Sequence, residues 1–202
     1  MTSSRLIPLT CLYLALAALG QALQWQERGS HRLAKLTIKP SDRDGFLLTS
    51  PEKTGVQFAN KLSRLLVAKN RNLANGSGVA IGDIDGDGLA DVYFCGLQTD
   101  NKLYRNLGGW KFEDISNTSG VTCPRQYSTG ALIEDVDGDG DNDLLVTGLA
   151  KGTRLFLNNG SGQFTEKTNS GLFPKLGATS MAMADIDQDG DCLLYTSPSP
   201  RD

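Results

Sequence analysis

The chain has 202 residues, with 23 acidic and 20 basic side chains, a formal net charge of −3 and one histidine. That balance, with no basic patch interleaved with aromatics, argues against nucleic acid as a partner. His31 lies in a polar stretch near the N-terminus, where solvation is its expected state, and leaves the rest of the chain without a Ser-His-Asp or Cys-His arrangement.

Residues 1–22 read as a secretory signal peptide. Arg5 is the charge of the first region, Leu6–Leu19 (LIPLTCLYLALAAL) is an apolar core too short to span a bilayer, and Gly20–Ala22 places small residues at the cleavage positions. Pro8 interrupts the run and no basic cluster follows closely, which weighs against an uncleaved anchor. Too little apolar core precedes Cys11 for a lipoprotein. The mature chain is expected to begin near Leu23, secreted or in the cell envelope, with no membrane span after cleavage. Residues 23–41 read as a linker or strand.

From residue 42 the chain repeats itself. The first Asp of three Asp-rich turns falls at 83, 135 and 185, spacings of 52 and 50 residues. KLYRNLGGWKF (Lys102–Phe112) returns as RLFLNNGSGQF (Arg154–Phe164), and FEDISNTSGV returns loosely as FTEKTNSGL. FLLTSPEKTGV (Phe46–Val56) resembles the same closing segment without strands before it, and Asn60–Ala68 carries leucines at helical spacing for a turn or two.

Each period reads as four short strands. In the first they are Gly78–Asp83, Asp91–Gly96, Lys102–Asn106 and Trp110–Ile115, bounded by Gly, Asn, Asp or Thr. The first strand is built of slender residues in every copy (GVAIGD, GALIED, SMAMAD), as suits an innermost strand where units crowd around an axis. Trp110 and the strand aromatics are expected to pack between units. Four-stranded units at this period predict an all-β fold, an incomplete β-propeller over residues 42–191. Residues 192–202 (CLLYTSPSPRD) break the pattern and match eleven codons of a transposase-type sequencing adapter. They are read as an artefact of truncation and set aside from the fold.

With the signal and the tail removed, Cys95 and Cys123 remain. Cys95 ends a second strand and Cys123 lies in the link to the next unit, so an up-down-up-down sheet puts both on the face opposite the Asp turns. They are expected to form a disulfide, with two separate thiols as the alternative.

The Asp turns hold thirteen of the 23 acidic residues. Crowded carboxylates repel unless a cation sits among them: two unit charges ~4 Å apart near a surface cost roughly 4 kcal/mol. The spacing Asp-x-Asp-x-Asp-Gly-x-x-Asp presents only oxygen donors and favours Ca²⁺; a cage this full leaves Mg²⁺ little room for its waters. The first site would use Asp83, Asp85, Asp87, the carbonyl of Leu89 and Asp91, the last closing the cage bidentately. The second would use Asp135, Asp137, Asp139, the carbonyl of Asp141 and Asp143. The third would use Asp185, Asp187, Asp189 and Asp191, but Leu193 stands where its closing Asp belongs. An EF-hand needs an acid at position 12, where Phe94 and Val146 stand. A metal-free Asp/Gly turn is the plain alternative, weakened by three copies in register.

These turns, the LYRN…F segments and the period resemble FG-GAP/VCBS repeats, the blades of integrin-α-type propellers. The segment order is similar to that of bacterial secreted proteins of the cartilage acidic protein type, which usually carry a further ASPIC/UnbV domain. The resemblance covers residues 42–191 and implies Ca²⁺ in the hairpin between the first two strands of a blade. The function expected is a noncatalytic Ca²⁺-binding module for an extracellular protein or polysaccharide. The alternative is a Ca²⁺-dependent polysaccharide-active enzyme of the lyase kind, or a lectin.

Overall fold

Short runs of apolar and β-branched residues, cut every few positions by Gly, Asn or Asp, pair with their chain neighbours throughout this protein. The computed structural model describes residues 25–29, 31–34, 47–149, 152–172, 177–184 and 193–198. The signal segment 1–22, the third Asp turn with Asp185, Asp187, Asp189 and Asp191, and residues 199–202 lie outside the described residues. Two compact units divide at Leu47/Leu48. In the first unit, β1 (Trp25–Arg28) and β2 (His31–Ala34) form an antiparallel hairpin, with the Arg32 guanidinium 5.6 Å from the Trp25 ring centre.

The second unit holds two four-stranded antiparallel sheets. One has the order β3-β4-β5-β6, from Val79–Gly82, Asp91–Phe94, Lys102–Asn106 and Phe112–Asp114. The other has the order β7-β8-β9-β10, from Ser128–Glu134, Asp143–Gly148, Gly152–Asn158 and Phe164–Glu166. Each sheet is a meander of chain-adjacent strands, and the first strands β3 and β7 touch each other. β7 in turn touches β11 (Ala178–Ala184), the first strand of a third copy. First strands side by side, with β6 and β10 at the far edges, are the blade arrangement of a propeller-like all-β fold. Slender residues make that contact possible: a Cβ on Gly78 would lie 2.8 Å from the Gly130 Cα.

The core lies between the two sheets. Ala80, Ile84, Tyr93, Cys95 and Leu103 from the first meet Ile133, Leu144, Val146 and Phe156 from the second, with Val121 and Cys123 of the link between them. The Tyr93 hydroxyl donates to the Val121 carbonyl at 2.7 Å and accepts from Asn101 Nδ2 at 2.6 Å, so the buried phenol leaves no polar atom stranded.

Four expectations are corrected. The disulfide is not formed: Cys95 and Cys123 are free thiols in one core, and the Cys123 sulfur lies 3.7 Å from the Tyr93 hydroxyl. Burial pushes the Cys95 thiol up to about 12 and raises Cys123 in the same direction. Trp110 is in a turn, 77% exposed at φ 62°, and not packed between sheets; the strand begins at Phe112. The Phe46–Val56 segment forms no strand over residues 47–56 but a helical turn, α1 (Pro51–Thr54), capped by Gly55 at φ 81°. It still serves as a closing segment, because a Gly55 Cβ would strike the Phe112 carbonyl just as a Gly120 Cβ would approach that of Phe164. Lastly, β12 (Leu193–Pro198), set aside on sequence grounds, pairs antiparallel with β11. Tyr195 and Thr196 favour strands, and β11 presents a row of ladder groups that any extended neighbour can satisfy. The leucine-rich segment forms a helix of the expected turn or two, α2 at Arg64–Lys69.

Two measurements check this packing. Gly78→Ala should lower stability by about 1–3 kcal/mol, read as the urea midpoint, because the new methyl meets backbone that cannot give way. In a chain with Cys11 and Cys192 replaced by serine, a thiol reagent at pH 8 should label neither Cys95 nor Cys123 in the native state and both in denaturant without reductant; no label in denaturant would show a disulfide instead.

Candidate metal centre

Each of the two described Asp turns joins the first strand of a sheet to the second, and its first and last carboxylates are bonded to backbone amides. Asp83 Oδ1 accepts from the Gly86 amide at 2.8 Å and its Oδ2 from the Gly88 amide at 2.9 Å. Asp135 does the same with Gly138 at 2.8 Å and Gly140 at 3.0 Å. Gly86 and Gly88 have φ of 72° and 82°, a conformation costly for other residues, so the loop can curl back onto one side chain. The amide of Gly88, aided by those of Gly86, Asp85 and Asp87, outweighs desolvation and holds the Asp83 carboxyl below its usual range.

The closing carboxylate is fully buried. Asp91 Oδ2 accepts from the Ile84 amide at 2.9 Å, and its Oδ1 from the Asn106 amide at 2.7 Å. Asp143 repeats this with Val136 at 3.1 Å and Asn158 at 2.8 Å. Burial raises both carboxyls above the usual range, with the neighbouring loop carboxylates adding to the rise and the two amides opposing it. Each oxygen spends one lone pair on an amide and keeps another for a cation.

The structure gathers positions one, three and nine of each turn. Oxygens of Asp83, Asp85 and Asp91 lie within 4.8 Å of one another, as do those of Asp135, Asp137 and Asp143. Position five does not join them. Asp87 is exposed and its Oδ1 accepts from the Leu89 amide at 2.8 Å; Asp139 does likewise with Asp141 at 2.9 Å. A short Asp side chain finds its own backbone two residues on more readily than the centre of the loop. Leu89 leans under the turn between β5 and β6, and the Asp141 carboxylate lies against Gly160 in the matching turn of the other sheet.

The donor set fits a hard divalent cation. In Asp85, one of the converging carboxylates, Oδ1 is shielded from solvent and has no hydrogen-bond partner; Oδ2 of the same carboxylate lies 3.7 Å from the Arg105 guanidinium. An anionic oxygen buried without a donor is unfavourable unless a cation satisfies it.

Sequence reasoning missed the residues that hold the loops in place. Asn106 Nδ2 donates to the Ala90 carbonyl at 2.9 Å, and Asn158 Nδ2 to the Asn142 carbonyl at 2.9 Å. Asn158 also reaches the Ile84 carbonyl of the first loop at 2.8 Å, and Asn142 Nδ2 reaches the Asp83 carbonyl at 2.7 Å. The signal was there: Asn106 and Asn158 stand 52 residues apart, the spacing of the first two turns.

Replacing Asp91 by Asn puts an amide N–H₂ where one of two backbone N–H groups needs an acceptor. Asp91→Asn should therefore destabilise the chain by about 1–3 kcal/mol even in excess chelator, measured by urea unfolding. Asp87→Asn, which disturbs only an exposed turn, should change that midpoint by less than about 0.5 kcal/mol.

Comparison with known proteins agrees with this geometry. A family model described as FG-GAP-like repeat matches residues 83–146 and again 135–191, together more than half of the chain. Cartilage acidic protein 1 of Xenopus tropicalis is 27% identical over 150 residues, which are 69% of this chain and 23% of that protein. The Mus musculus protein of the same name is 26% identical over 123 residues, 59% of this chain and 19% of its own length. This chain thus spans less than a quarter of the length of these curated relatives. Tandem loops of one design, each pinned by a buried Asp and matched twice in register, place this chain in the FG-GAP-like repeat family.

Proposed function

We propose that this chain is a noncatalytic Ca²⁺-binding propeller module that acts outside the cell by holding a protein or polysaccharide ligand. The convergence of three carboxylates per turn, with the shielded Asp85 Oδ1 lacking any donor, is the observation that carries the calcium reading. Calcium would be held by Asp83, Asp85 and Asp91 in the first loop and by Asp135, Asp137 and Asp143 in the second. It would neutralise like charges that the fold brings together. Its role is structural, because the same carboxylates already staple the hairpin that begins each blade. Those commitments favour ligand and staple roles over general acid or base work.

An extracellular setting is supported by the likeness to cartilage acidic protein 1 and by the secretory pattern of residues 1–22. Among the described residues no helix is long and apolar enough to cross a membrane.

Calorimetry of the full chain tests the calcium reading. Calcium should bind with measurable heat, and at 100 times its dissociation constant should raise stability by about 2.7 kcal/mol for each site that forms only in the folded state. Asp85→Ala and Asp137→Ala should each remove one binding event. No calcium heat, or a chain whose unfolding midpoint ignores chelator, would refute the proposal.

A further inference from the structure

The two loops are built alike but lie beside different third strands. In the first blade Arg105, on β5, points its guanidinium at the loop: Nη1 lies 3.7 Å from Asp85 Oδ2, and Nη2 donates to Glu113 Oε2 at 2.9 Å. Arg105 and Glu113 face each other across the β5–β6 ladder. At the same register of the second blade, β9 and β10 pair Leu157 with Thr165. An anchored cation beside one loop is therefore replaced by a neutral pair beside the other. Exposure follows the exchange: the Asp85 side chain is 14% exposed, whereas Asp137 is exposed.

From this contrast we infer that Arg105 is a built-in counter-ion that sets the first loop to a lower calcium affinity than the second, with Glu113 as its positioning residue. The inference rests on the calcium reading proposed above. A guanidinium next to a ligand carboxylate acts in two ways. It relieves carboxylate repulsion when no metal is bound, so the first loop keeps its shape with less help from calcium. It also repels an arriving divalent cation and competes for Asp85. The second loop, with Leu157, has no such ion pair among the described residues. The two sites thus fill in sequence as calcium rises, the second blade first.

The test reads each loop separately in the full chain. An Asp185→Ala background silences the third turn; adding Asp137→Ala leaves only the first loop, and adding Asp85→Ala leaves only the second. Calcium calorimetry should show the first loop binding about fivefold more weakly, the scale of one solvent-screened ion pair. Arg105→Leu should tighten the first loop by about that factor and lower the unfolding midpoint only in chelator. Glu113→Gln, which keeps the guanidinium but frees it, should give a smaller tightening without loss of packing. Leu157→Arg with Thr165→Glu should weaken the second loop.

Equal affinities of the two loops would overturn the inference, as would an Arg105→Leu chain that folds and binds calcium unchanged. Should Arg105→Leu fail to fold, Glu113→Gln and the Leu157→Arg, Thr165→Glu pair decide: unchanged affinity in both overturns it. Absence of calcium heat at either loop would instead overturn the calcium reading and, with it, this inference.

Discussion

A carboxylate with no exposed surface, Asp91 in one sheet and Asp143 in the next, ties together the entry to the Asp loop, the start of the second strand and the end of the third. Both oxygens are aimed at backbone amides that would otherwise have no acceptor where the ladder stops. The loop conformation, the register between second and third strands, and the convergence of acidic oxygens all follow from that one side chain. Asp suits the position because its two acceptors reach two donors on different strands without bringing a donor of its own. The cost is a buried negative charge, and the loop turns it to use by placing two further carboxylates beside it.

The repeat is thus a structural unit first and a metal loop second. Asp83 and Asp135 wrap the turn around themselves through glycine amides, while Asp91 and Asp143 fasten it to the sheet. A cation bound there would add to a loop already shaped by hydrogen bonds. Asp85 and Asp137 are the members of each trio that no loop amide holds: Asp137 stands exposed, while Asp85 faces the Arg105 guanidinium.

Much of this was legible in the sequence. The period, the four strands per unit and the slender first strands all rest on local patterns, and the structure reproduces them with shifts of one or two residues at the ends. Part of what escaped depends on contacts between segments far apart in the chain. The roles of Asn106 and Asn158 appear only when strand ends are brought to the loops. Asp87 and Asp139 fit a ligand spacing, yet their side chains stand exposed, each bonded to the amide two residues on and outside the cluster of three. Trp110 sits in an alternating pattern that reads as a strand, yet Gly108 and Gly109 prolong the turn and carry it out into solvent. Cys95 and Cys123 share one core, but a shared core does not orient two sulfurs at each other, and the Cys123 sulfur lies beside the Tyr93 hydroxyl instead.

The asparagines that cross from the second blade to the first make the first one incomplete by itself. The carbonyl of Ile84 receives its donor from Asn158, 74 residues later, and that of Asp83 from Asn142. A chain cut after the first sheet would leave both carbonyls without these side-chain donors, at the loop where the acidic oxygens converge. The first blade is thus finished by the second, and the smallest unit that reproduces its loop is a pair of blades.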